Sequence, residues 1–261
     1  MIKPITTKQA KCPIILAMPH SGTHVPDDVM ARLNDDGKAL KDTDWHVDRL
    51  YADLLPEAGI VKANFHRYVI DANRSPEDTN LYPGQNTTGL CPLTDFEGKA
   101  IWNEHEEPSA GDMLQRTNLF HKPYHEALRE MLETVRDSYG FAILYDCHSI
   151  RSELPFLFEG KLPTLNIGTN DGKSCAKEIE EVAIKCCDAT NFISVLNGRF
   201  KGGWTTRHYG DPTNNIHAIQ MEIAQSAYMT EQAPWEYLPE RAHELRQHLK
   251  MLLQQLKNTP L

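Results

Sequence analysis

Two histidines stand at corresponding points of two apolar runs. His20 closes PIILAMPHS at residues 13–21, and His148 closes FAILYDCHS at 141–149. An imidazole presented at the end of a buried strand can act as a metal ligand or as a proton carrier. Two of them, with carboxylates near by, point to a metal. A catalytic zinc takes about three protein ligands, usually His and carboxylate, and keeps one position for water. The acidic segment Asp42-Thr43-Asp44-Trp45-His46-Val47-Asp48 can supply the carboxylate. Capping a helix would occupy Asp42 or Thr43 but leaves further aspartates over.

A proton acceptor is offered by Glu222 in the run IHAIQMEI at 216–223. Period-2 alternation places Ile219, Met221 and Ile223 on one face and Gln220 with Glu222 on the other. A carboxylate in so apolar a strand is costly to bury unless it is paired or working. Desolvation raises its pKa, which suits a general base, whereas the structural alternative is an ion pair with an arginine.

Further polar residues gather in irregular segments: Asp71, Asn73, Arg74, Arg151, Asn170, Arg199 and Arg207. The planar fork of arginine matches a carboxylate bidentately. The 261 residues carry a net charge of −9, so an anionic ligand must be caught by local arginines rather than by the overall field. The same balance argues against a nucleic-acid binder.

The elements that must position these groups follow from periodicity. Strands are expected at 13–18, 141–145, 164–169, 192–196 and 216–223, with two short strand-like runs inside 60–70. Helices are expected at 45–58, 114–138, 173–189 and 236–257, and a long ordered loop at 72–112. Strands separated by helices predict a single α/β domain over 1–261, with a mostly parallel (mixed) central sheet and helices on both faces. Ligands of such sheets bind at the carboxyl ends of the strands, where His20 and His148 fall. Six cysteines without metal-site spacing read as reduced thiols, and the N-terminus carries no secretory h-region. With no apolar run long enough for a membrane span, the chain is expected in the cytoplasm with a small-molecule partner.

Six stretches carry a resemblance: MPHSGTHVP (18–26), DTDWHVDRLY (42–51), VIDANRSPEDTNLYPGQNTTGLCPLTDFEGKAIW (69–102), DCHSIRS (146–152), LNIGTNDGKSC (165–175) and NGRFKGGWTTRHYGDPTNNIHAIQMEIAQSAYM (197–229). In this order they make the chain resemble the N-formylglutamate amidohydrolases over nearly its whole length. The resemblance implies the α/β fold of zinc carboxypeptidases and cell-wall amidases, and one divalent ion, Zn2+. It also implies cleavage of N-formyl-L-glutamate to L-glutamate and formate, a step of histidine degradation. Carried over, the ligands are His20, Asp44 and His148, with Asp48 competing for the carboxylate position, and Glu222 is the base. Asn73, Arg74, Arg151, Asn170 and Arg207 are then the substrate-binding residues. The alternatives are a metal-dependent deacylase of other N-acyl amino acids, a non-catalytic binder, and an amidase using Cys147 with a histidine base. Against the last, neighbours in a strand point to opposite faces, so Cys147 and His148 would not pair.

Overall fold

The computed structural model describes residues 3–78 and 86–261, so residues 79–85 of the expected 72–112 loop lie outside it. Its strands are β1 (Ile5–Lys8), β2 (Ile14–Met18), β3 (Gly59–Ala63), β4 (Ala142–Ile150), β5 (Leu165–Gly168), β6 (Ser194–Leu196) and β7 (Ile216–Ala224). They form one sheet in the order β1-β3-β2-β4-β7-β5-β6. The pairings β1–β3 and β5–β7 are antiparallel and the others parallel, giving the expected mixed sheet.

The helices are α1 (Asp27–Arg32), α2 (Asp35–Lys38), α3 (Val47–Tyr51), α4 (Ala110–Arg116), α5 (Lys122–Tyr139), α6 (Lys177–Asp188), α7 (Trp204–Tyr209) and α8 (Pro239–Lys257). A π turn, Thr117–His121, joins α4 to α5. Helix α5 lays Leu128, Leu132 and Val135 against Ile15, Ala17, Val61, Leu144 and Ala218 on one face of the sheet. The other face packs Leu16, Tyr145, Cys147, Ile219 and Met221 against α3, α6 and α8. Alternation therefore sends Asp146, His148, Gln220 and Glu222 to the side that α5 covers further back along the strands.

Three of the departures from the periodicity have a tertiary reason. Helix α3 covers only Val47–Tyr51 instead of 45–58. His46 enters it at φ +60°, with its ring 2.6 Å from the Trp235 carbonyl. At its other end Arg246 of α8 donates to the carbonyls of Arg49, Leu50 and Ala52, so the last turn is satisfied from outside. Strand β4 runs on through Asp146-Cys147-His148-Ser149 because β7 pairs with it from Ala142↔Ile216 to Ile150↔Ala224. Only one strand forms in 60–70: beyond β3 the chain makes a single bridge, His24↔Phe65, and turns away.

Candidate active site

His20 leaves the carboxyl end of β2, Asp44 precedes α3, and His148 lies within β4. The three side chains are buried, and one ligand atom from each lies within 4.8 Å of the others. His148 Nδ1 is 3.2 Å and His20 Nδ1 3.8 Å from the same atom, Asp44 Oδ2. The far nitrogens face carboxylates of their own: His20 Nε2 is 2.6 Å from Asp71 Oδ1, and His148 Nε2 is 3.1 Å from Asp146 Oδ1. The Asp71 carboxylate behind His20 holds the proton on Nε2 and turns the Nδ1 lone pair inward. His20 Nδ1 meets no hydrogen-bond partner among the described residues. A buried nitrogen left without a partner beside a carboxylate and a second imidazole fits a divalent cation. Asp48 stands apart, 44% exposed and 2.8 Å from Lys62 Nζ.

Burial would lift the Asp44 carboxyl, but Arg67 and the two histidines hold it below the usual range. Asp71 is likewise held well down against burial by His20 and Arg74. Burial lowers His20, whereas for His148 burial is outweighed by Asp146, Asp44 and Glu222, which raise it. Glu222 is Cα partner of His148 across β4–β7, so both reach the same face. Burial, reinforced by Asp44 and Asp146, pushes its carboxyl up to about 8.

A cleft of about 650 Å3 opens on these groups, lined by His20, His148 and Glu222 together with Arg67, Asn73, Arg74 and Arg199. Arg74 is held by neutral oxygens: it donates to the carbonyls of Thr88 and Asn73 and to the Thr87 hydroxyl. Asn73 accepts at Oδ1 from the Thr205 N–H, and its amide nitrogen is 3.2 Å from His148 Nε2. At Gly203 a Cβ would come within 2.3 Å of Asn73 Nδ2, so only glycine admits that amide. Three other expected residues are not on the lining. Arg151 faces Asp42 and Glu97, Arg207 donates Nε–H to the Gly202 carbonyl, and Asn170 makes a turn at φ +52°. Cys147 lies on the opposite face in the apolar core, its thiol pushed well up by burial.

Two contributors, Arg67 and Asp146, lie outside the residues singled out in the sequence, and Asp71 and Arg199 stand there only within the general group of polar loop residues. Arg67, 6% exposed, donates to Asp44 Oδ1 at 2.8 Å and stacks 4.8 Å from the Phe96 ring. A charge inside the apolar run FHRYVI carries the same signal that marks Glu222 in its strand. The places of Asp71 and Asp146 behind the imidazoles become visible only in the folded chain. Arg199 reaches the lining from the 197–203 loop.

Comparison with known proteins places these features in context. The sequence profile of the N-formylglutamate amidohydrolase family matches residues 12–229. An N-formylglutamate deformylase of Pseudomonas putida is 44% identical over 98% of this chain and 96% of its own. One of Pseudomonas aeruginosa is 43% identical over 97% and 95%. In fold, the crystal structure of an N-formylglutamate amidohydrolase from Ralstonia eutropha superposes with a TM-score of 0.84 at 24% identity, covering 99% of this chain and 98% of that one. A gene product of Agrobacterium tumefaciens superposes at 0.73 with 17% identity, covering 97% and 94%.

Proposed function

The chain belongs to the N-formylglutamate amidohydrolase family, and on that premise we propose that it hydrolyses N-formyl-L-glutamate to L-glutamate and formate with the help of one zinc ion. The observation that carries the reading is the buried His20–Asp44–His148 cluster, with carboxylates behind both imidazoles and Glu222 beside it in the cleft. His20 Nδ1, His148 Nδ1 and an Asp44 oxygen would hold the ion. When bound, zinc lowers the pKa of water toward ~7 and polarises a carbonyl oxygen.

The chain's own groups do the rest. Glu222, in the desolvated cleft, accepts the proton of the attacking water and delivers it to the departing amine nitrogen, so one group serves as base and then acid. Asp71 keeps the His20 imidazole in one tautomer and orientation, and Asp146 sets negative charge behind His148. Arg67 neutralises part of the Asp44 charge and adds positive potential where oxygen charge develops. Arg74 and Asn73 face the substrate, and the fork of Arg74 suits its side-chain carboxylate. We assign the reaction to histidine degradation in the cytoplasm.

Formate release from N-formylglutamate tests the reading directly. Turnover is expected to vanish on complete chelation and to return with Zn2+. Full activity in the metal-free protein would overturn it.

A further inference from the structure

Behind the segment that carries Asn73 and Arg74, two histidines one helical turn apart face its backbone. His121 Nε2 lies 2.9 Å from the Arg74 carbonyl and His125 Nε2 lies 2.8 Å from the Ala72 carbonyl. A carbonyl can only accept, so each Nε2 bears the proton and donates. His125 Nδ1 lies 3.0 Å from the Tyr209 hydroxyl, which donates to the His125 carbonyl at 3.1 Å. Burial lowers both imidazoles and so favours their neutral form.

The rings are locked from the side. His121 and His125 sit 4.3 Å apart by centroid, and Trp204 packs on them at 5.7 and 4.8 Å. Trp204 opens α7, and the next residue, Thr205, donates its N–H to Asn73 Oδ1 at 2.8 Å. The aromatic cluster and the Asn73 side chain are thus tied to one another through successive residues. His121 is the last residue of the π turn, a wider turn of the kind that recurs at functional sites. The two carbonyls held are those on either side of Asn73.

We propose that His121 and His125 are positioning residues: by gripping the Ala72 and Arg74 carbonyls they set where the Asn73 amide and the Arg74 guanidinium stand in the cleft, and so govern preference for a substrate with a side-chain carboxylate without touching it. The substrate side of this inference rests on the reaction proposed above. Gln can place an N–H near the histidine Nε2 position, Asn places one nearer Nδ1, and Leu has none. The experiment compares His121→Leu, His121→Asn and His121→Gln, with the same three changes at His125. In the Leu and Asn variants KM for N-formylglutamate is expected to rise about tenfold, the scale of one lost hydrogen bond. Metal content and kcat/KM for N-formylmethionine, which carries the α-carboxylate alone, stay within about twofold by the same reasoning, since Arg74 takes the side-chain carboxylate. The Gln variants return toward wild type.

Hydrogen exchange supplies a readout that needs no substrate. Amides of residues 71–76 should exchange faster in the Leu and Asn variants while those of β4 do not change. A wild-type chain inactive on N-formylglutamate would sink the reaction but leave this second result to decide the clamp. Should the Leu variants fail to fold, the Asn-against-Gln contrast decides. Asn and Gln variants that behave alike, or Leu variants that lose thermal stability yet keep both substrate preference and protection of 71–76, would overturn the proposal.

Discussion

Asp42 and Asp44 sit two residues apart, are both buried, and belong to opposite kinds of polar site. Asp42 is closed: Tyr68 Oη and the Phe96 N–H donate to its Oδ2 at 2.7 and 2.8 Å, and Arg151 donates to Oδ1 at 3.1 Å. Asp44 is open: Arg67 and the Ser149 N–H donate to it, but its Oδ2 also faces two imidazole nitrogens, of which His20 Nδ1 has no hydrogen-bond partner. Burial is therefore no mark of function in this protein. What separates the two is whether the protein alone can satisfy the set. A closed set ties loop 42–48 to loop 95–97, while an open one leaves capacity for a ligand.

The largest expected contrast is between amide replacements at these two positions. Asp44→Asn should lose bound zinc and with it formate release, while Asp42→Asn keeps the metal. The latter should instead destabilise the fold by about 1.5–3 kcal/mol, the scale of a hydrogen bond to a charged group. Metal analysis and urea midpoints on both proteins read this, and metal loss in Asp42→Asn alone would invert the comparison. Next in size is Glu222→Gln, nearly isosteric but unable to accept a proton. It should bind metal normally and turn over ~10²-fold more slowly or worse. Activity within a few-fold of wild type would return Glu222 to a packing role.

Two arginines extend the contrast. Arg151 belongs to the closed set and Arg74 to the cleft. Arg74→Lys should cut kcat/KM for N-formylglutamate by about tenfold, since an ammonium cannot make the paired fork, and spare N-formylmethionine. Arg151→Lys should leave that preference untouched. The reverse pattern would restore Arg151 as a substrate ligand. The smallest effect lies at the rim of the closed set, where hydrogen bonds from Lys99 and Arg151 hold Glu97 at about 2, below its ordinary 4.5. A carboxyl lowered in the folded state stabilises above its unfolded value and loses that contribution as pH falls through the folded one. Glu97→Gln should thus flatten the stability curve between about pH 4.5 and 2, by less than ~1 kcal/mol because Glu97 is a third exposed. An unchanged acid limb would show that the pair contributes nothing.

His20, His148 and Glu222 stand out in the sequence because each is a polar residue in or next to an apolar strand. The alternation that puts Gln220 and Glu222 together is a backbone property. The arginines were harder to sort. Arg74, Arg151 and Arg207 look equivalent as residues in Gly- and Asn-rich loops, yet of these three Arg74 alone is among the described residues that line the cleft. Loop paths are set by contacts made far away in sequence, such as Asp42 with Arg151 across 109 positions, and no local pattern encodes them. Arg246 trimming α3 from a helix nearly two hundred residues later is the same effect on a boundary.

Local order in the chain determined the strand faces, the alternating α/β layers and the three polar groups that the strands present, because side-chain direction follows from position along a regular backbone. Only the tertiary structure decided which aspartate faces the histidines, which carboxylates stand behind them and which arginine reaches the cleft. Those choices depend on whether partners brought from distant segments fill every hydrogen-bonding position of a buried group. Closure of that kind exists only once the whole chain has packed.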